Sequence, residues 1–344
     1  GYYRYSSGYE PEFKGSENFS GQIIHPQKWP ESLDYKEKNV VVIGSGATAA
    51  TIVPEIAKEA KLVTMLQRSP TYFVSRPDED SLALFLRRFL PEFLVYALIR
   101  FKNVYMQQYL FKRVRAFTDR SKKFLIDQVK KELPDFDVDK HFTPRYNPWE
   151  QRMCLIPNSD FFEAIKNKTA TVVTDHIESF EEKGIKLKSG DFLDADIIVT
   201  ATGLVLQNFG GVTISINNNP VNVSETMTYK SLMYSDIPNF VNSFGYINAS
   251  WTLKADLTSV YLCRLIKHMD KNKYSSACPR KPLDVDETYD WLKDFSSGYI
   301  QRSINLHPQQ GSKKPWVNYQ DYIKDWIDVK FSKLEDGNLI FSRD

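Results

Sequence analysis

Cysteine is scarce, with three in 344 residues, Cys154, Cys263 and Cys278. They are far apart and odd in number, and no C-x-x-C or other ligand-spaced pair occurs. That argues against structural zinc, a dithiol redox centre, a disulfide reductase and a secreted disulfide scaffold. Neither sign of charge is in excess. The net charge of +2 is too small for a nucleic-acid binder. Long hydrophobic runs are also missing: Phe93 to Ile99 is far short of the roughly 18 uncharged residues of a transmembrane helix. Asp135, Asp137 and Asp139 alternate like the opening of a calcium loop. The places that need glycine and glutamate hold Lys140 and Tyr146, so the stretch reads as a solvated turn and no metal site is expected. Without a signal peptide the Asn-x-Ser/Thr triplets at Asn18, Asn167, Asn222 and Asn248 carry no glycosylation reading, and a cytoplasmic protein is the simplest expectation. Position 1 is not methionine, and Gly1 to Gly8 reads like the middle of a longer protein.

What is present is an ordinary globular composition, 42% hydrophobic, in a chain long enough for about two domains. It is organised around Asn39-Val-Val-Val-Ile-Gly-Ser-Gly-Ala-Thr-Ala-Ala50. Val40 to Ile43 is an uninterrupted β-branched run, as in a parallel strand buried on both faces. Gly44, Gly46 and Ala49 give the G-x-G-x-x-A spacing. The first glycine permits a sharp turn, the second lets a pyrophosphate approach, and the small third residue lets helix and strand pack closely. Gly44, Ser45, Gly46, Ala47 and Thr48 are therefore the expected phosphate cradle, at a helix N-terminus whose free N–H groups and dipole favour anions. Ile52, Val53, Ile56 and Ala57 continue as a helical stripe, and Lys61 to Leu66 reads as the next strand. That strand ends in Gln67-Arg68-Ser69 rather than in an acidic residue for a ribose hydroxyl. Arg68 can pair with a 2′-phosphate and Ser69 can add a hydroxyl, so the preference expected is NADPH over NADH.

Residues 81 to 132 read as helical, with Leu82, Phe85, Leu86, Phe89 and Leu90 at helical spacing. Arg87, Arg88, Arg100, Lys102, Lys112, Arg113 and Arg115 make the segment basic. It reads either as an insertion packed on the nucleotide domain or as a peripheral membrane contact with anionic lipid. In Asn147 to Pro157, a proline-flanked turn carries Arg152, which by residue type alone reads as a surface ion-pair arginine. From Ala170 short strands take over, ending in Asp194 to Gly203. Phe240 to Trp251 reads as strand and loop, and Leu253 to Met269 as a helix.

These motifs together resemble a known family. Phe19-x-Gly21-x-x-x-His25-x-x-x-Trp29-Pro30 resembles the fingerprint of Baeyer-Villiger monooxygenases, placed just before the NADPH turn as it is here. The related flavin-containing monooxygenases end that motif in Tyr or Phe. The resemblance implies an α/β fold, a two-dinucleotide-binding (Rossmann-like) flavoprotein using FAD and NADPH. Residues 1–35 would be a linker carrying the fingerprint, 36–197 the NADPH domain with a helical insertion at about 81–150, and 198–344 the C-terminal half of the FAD domain. It also implies that Arg152 keeps a flavin C4a-peroxide deprotonated so that it attacks a ketone. The D-x-x-x-x-A-T-G element ending in Ala201, Thr202 and Gly203 would cross back to the FAD domain. Gly245, Asn248 and Trp251 match the family's active-site turn in part. The chain departs from the family in having no G-x-G-x-x-G of its own for FAD. The activity expected is insertion of one oxygen atom from O2 beside a ketone carbonyl, giving an ester or lactone. Two alternatives stay open: N- or S-oxygenation, with a thioether as substrate, and an inactive NADP-binding fragment that needs a partner chain.

Overall fold

The computed structural model describes residues 2–281, 287–292 and 295–343. Gly1, where the expected mid-protein start begins, lies outside the described residues. The chain divides into two compact units. One comprises Tyr3–Arg88 and Val114–Leu206, the other Phe89–Arg113 and the residues from Gln207 onward, with Tyr2.

The strands of the first unit are, in chain order, β1 (Gln22–Ile24), β2 (Asn39–Ile43), β3 (Leu62–Gln67), β4 (Phe73–Arg76), β5 (Cys154–Pro157), β6 (Ala170–Thr174), β7 (Ile177–Glu181), β8 (Gly184–Leu187), β9 (Phe192–Asp194) and β10 (Ile197–Thr200). Five form an all-parallel sheet in the order β1-β10-β2-β3-β6. The run at 40–43 is apolar throughout because both faces are covered. Val40 and Val42 face Ala49, Val53 and Ile56 of helix α1 (Ala47–Ile56), while Val41 and Ile43 face Phe180, Ile185 and Leu187. Each such side chain, once buried, contributes about 1.5–3 kcal/mol. The second face is covered by the antiparallel meander β7-β8-β9.

Two sequence expectations need correction here. Residues 1–35 are more than a connector, since β1 pairs in parallel with β10 and forms one edge of the sheet. A three-residue strand has too little periodicity to be read from sequence. The element at 194–203 is also no boundary: β10 lies inside the sheet, and the division between units falls at Leu206/Gln207 rather than at 197/198.

The segment 81–132 is helical with interruptions: α2 (Ser81–Leu86), α3 (Glu92–Ala116) and α4 (Thr118–Glu132), followed by α5 (Val138–His141), which Asp137 caps by accepting from the Lys140 amide. A further helix, α6 (Asp160–Lys166), packs on α1. Part of α3 belongs to the second unit, where Arg100 pairs with Asp256 at 2.8 Å and Lys112 with Asp321 at 2.9 Å. Two of the cations on which a lipid contact would draw are thus engaged within the protein. Among the described residues, no helix is long and apolar enough to cross a membrane.

The second unit is built on α7 (Trp251–Asn272), which packs against the helix Tyr322–Phe331. Lys254 and Asp325 form a buried ion pair at 2.8 Å, and the Tyr246 hydroxyl donates to the same carboxylate at 2.7 Å. The strand expected within Phe240 to Trp251 does not form. The Asn242 amide donates to the Leu232 carbonyl and its side chain to the Tyr234 hydroxyl, while the Ile247 amide donates to Gln320 Oε1 and Asn248 Nδ2 to the Gln320 carbonyl, so no ladder builds up.

His307, 5% exposed, stacks on Trp291 with ring centroids 4.9 Å apart, and its Nε2 has no partner. Burial pushes its pKa down to about 4. The unfolded chain binds a proton near pH 6.5, and the folded chain resists it. Stability should therefore fall as pH drops from 6.5 to about 4, by about 3 kcal/mol in total. His307→Phe should remove that part of the acid sensitivity, read as urea midpoints at pH 7 and 4.5. An unchanged acid loss in the variant would contradict this.

Candidate functional site

Gly44 follows β2 directly with φ +127°, and its amide donates to the Leu66 carbonyl at 2.8 Å. A Cβ at this position would lie 2.3 Å from the carbonyl oxygen of Ala201, so both the dihedral and the close approach demand glycine. Gly46 differs. Its φ of −79° suits any residue, and a Cβ there would meet no atom within 4 Å. The fold itself does not require glycine at 46, whereas a group approaching the backbone from outside does. Gly46 is also the N-cap of α1 and makes no side-chain cap, which leaves the first-turn N–H groups to an anion.

The two glycines should therefore respond differently to alanine. Gly44→Ala should cost about 3–5 kcal/mol and lower Tm by about 10 °C. Gly46→Ala should change stability by under about 1 kcal/mol yet weaken NADP+ binding at least about 10-fold. Melting curves and titration calorimetry on both variants check the contrast.

Ser45 joins three segments. Its Oγ donates to the Ser69 carbonyl at 3.3 Å, and its own carbonyl accepts from Cys154 Sγ at 3.7 Å. The glycine turn, the end of β3 and the start of β5 thus meet at one residue. Arg68, between Gln67 and Ser69, is exposed, and no hydrogen bond or ion pair with another described residue holds its guanidinium. Arg152 stands just before β5 and is likewise exposed and unheld among the described residues, so it is not the surface ion pair that its residue type suggests. Cys154 is buried, and burial pushes its thiol up to about 11 although the Arg152 charge pulls it down. It is a packing residue, not a nucleophile.

Beyond β10, Ala201 abuts Gly44, Thr202 Oγ1 donates to the Tyr9 carbonyl at 2.5 Å, and the Tyr9 amide donates to the Gly203 carbonyl at 2.9 Å. The fingerprint residues pack. Phe19 enters the core on the meander side, and a Cβ on Gly21 would lie 2.2 Å from the Asp196 carbonyl oxygen. His25 accepts from the Gln27 amide through Nδ1 at 3.2 Å with its ring against Gly8, and Trp29 rests on the α1-side core. In the second unit the Trp251 ring occupies the space above Gly245 and stacks on Tyr2 at 4.2 Å. Asn248 is 1% exposed and bonds to the Gln320 carbonyl. Sequence reasoning missed Ser45 as a junction and gave no role to Gln67, His141 or Thr174. Their contacts link positions 24 to 109 residues apart, for which a single sequence carries no signal.

Residues 1–208 match the family model described as "Flavin-binding monooxygenase-like". The chain belongs to this family. It is 50% identical over 346 residues to the FAD-containing monooxygenase EthA of Mycobacterium tuberculosis, an alignment covering 100% of this chain and 70% of that relative. The EthA of Mycolicibacterium smegmatis is 47% identical with the same coverage. Among solved structures, an oxidized steroid monooxygenase bound to NADP is similar at a TM-score of 0.71 and 20% identity, covering 98% of this chain and 73% of that one. OTEMO in complex with FAD and NADP is similar at a TM-score of 0.66 and 17% identity, covering 99% and 74%. The fold is thus the Rossmann-type α/β fold of flavoprotein monooxygenases, and the chain is an oxidoreductase of that family.

The residues present fit NADP. Gly46 would admit the pyrophosphate, α1 offers free N–H groups, and Arg68 offers a guanidinium without a protein partner. FAD is the flavin of the family: the EthA relative is FAD-containing, and OTEMO is held in complex with both FAD and NADP. Among the described residues, the Gly44–Gly46 turn is the one place where a parallel strand passes through two glycines into a helix.

Proposed function

We propose that this chain carries the NADPH site and a fixed active-site cation of a Baeyer-Villiger-type monooxygenase. The overall reaction would convert a ketone, O2, NADPH and a proton into an ester or lactone, NADP+ and water. FAD is the family's redox cofactor, and the oxygen chemistry is its own. The protein's residues position and polarise. The Gly44–Thr48 cradle and α1 hold the pyrophosphate, and Arg68 with Ser69 holds the 2′-phosphate. Arg152 supplies a permanent positive charge to the negative charge that builds on the attacking oxygen.

One observation carries this reading. Arg152 has no protein partner among the described residues, yet it stands two residues from Cys154, whose thiol is tied to Ser45 of the nucleotide turn. A guanidinium placed there without a carboxylate is suited to an anion supplied by cofactor or substrate. The test is product analysis of the flavin-loaded protein with NADPH and either a cyclic ketone or a thioether. Lactone as the main product supports the reading. Sulfoxide alone would replace it with S-oxygenation.

A further inference from the structure

Gln67 ends β3 one residue before Arg68 and is 1% exposed. Its Nε2 donates to the His141 carbonyl at 2.7 Å and to Thr174 Oγ1, at the end of β6, at 2.8 Å. A carbonyl oxygen can only accept, so the amide orientation is fixed with nitrogen toward His141. Thr174 Oγ1 therefore accepts from Gln67, and the one acceptor that its own proton has among the described residues is His141 Nδ1, 2.9 Å away. With Nδ1 accepting, the ring proton sits on Nε2. Nε2 is not buried and has no partner among the described residues. This wiring leaves Gln67 Oε1 buried and unpartnered, at a desolvation cost with no return inside the fold.

The location gives the arrangement a use. β3 and β6 are neighbouring parallel strands; Thr174 and Arg68 stand at their C-terminal ends, and His141 is bonded to Gln67 and Thr174 there. Ligands of open parallel sheets bind at that edge, and the adenosine end of a dinucleotide lies beside the second strand of the βαβ unit. Asp175, next along β6, would repel a phosphate, but its carboxylate accepts from the His176 and Ser189 amides. Burial, reinforced by the Lys140 charge, lowers the His141 pKa against the opposing pull of Asp137. The ring is thus a neutral N–H donor at physiological pH.

We propose that His141 is a second residue reading the 2′-phosphate of NADPH, donating Nε2–H beside Arg68 in a tautomer set by Gln67 and Thr174. This rests on the NADPH reading of the Gly44 turn. The test is calorimetric titration of the 344-residue chain with NADP+, NAD+, 2′,5′-ADP and 5′-AMP at pH 7.5, for wild type, His141→Ala and His141→Gln, with melting curves as the folding control. His141→Ala should weaken NADP+ and 2′,5′-ADP about 10-fold and leave NAD+ and 5′-AMP unchanged. His141→Gln, whose amide nitrogen stands near the position of Nε2, should stay within about threefold of wild type. Unchanged NADP+ affinity in folded His141→Ala overturns the proposal alone. An equal loss for NAD+ moves the contact to the adenine or ribose and also overturns it. No NADP+ binding to wild type overturns the NADPH reading, and this inference with it.

Discussion

Replacing Arg152 by alanine in the flavin-loaded enzyme is expected to cut lactone formation from a cyclic ketone by about 100- to 1,000-fold while NADP+ affinity stays unchanged. That range is the loss usually seen when one preorganised donor to a developing oxygen anion is removed. The structure separates the two effects. Arg152 makes no bond to the glycine turn; the contact to that turn comes from Cys154, whose thiol donates to the Ser45 carbonyl. Cys154 remains in the variant, so the NADPH cradle should keep its shape. The folded protein should also tolerate the change, because an exposed side chain without a protein partner leaves nothing unpaired behind. Lysine at 152 keeps the charge but loses the planar fork, and should recover only part of the activity. An unchanged lactone yield in Arg152→Ala would remove the arginine from the reaction.

Arg68→Ala should weaken NADPH binding by about 10- to 100-fold and leave NADH binding where it is, so that the preference between the two collapses. A guanidinium gains most from a phosphate when it gives up no protein carboxylate to reach it, and Arg68 has none among the described residues. The end of β3 is held independently of that side chain. Ser69 accepts from Ser45, and Gln67 is anchored to His141 and Thr174. A loss confined to the phosphorylated nucleotide is therefore expected from Arg68→Ala, read as dissociation constants for NADPH and NADH. Equal losses for both would mean that the substitution disturbed the turn instead.

The parts of this protein legible in the sequence are those governed by local rules. Val40 to Ile43 signalled a strand covered on both faces by lacking any polar alternation, and Gly44 and Gly46 signalled the turn by spacing. Arg68 could be placed because it follows the second strand directly. The strand β1 could not be read, because what makes Gln22–Ile24 a strand is pairing with Ile197–Val199, far along the chain. The loop 240–250 reads as partly strand because its aromatic residues fit a pleated surface equally well. Here they pack on one another, with Phe244 against Trp251 and Trp291. The Gln67–Thr174–His141 relay was illegible for a similar reason: three common polar residues acquire a fixed proton arrangement only when β3, β6 and α5 bring them together.

The pairing of β1 with β10 also bears on how the protein is made. Ile24 has Val199 as its partner in register, so the edge of the sheet stays open on the ribosome until the chain near residue 200 has emerged. At ordinary rates of synthesis that wait lasts roughly 10–35 s. Meanwhile β2, whose place in the finished sheet is between β10 and β3, has only β3 to pair with and leaves one flank open. The nascent chain therefore carries an exposed, strongly β-prone segment at Val40 to Ile43 until β10 follows, and holdase chaperones should bind it there.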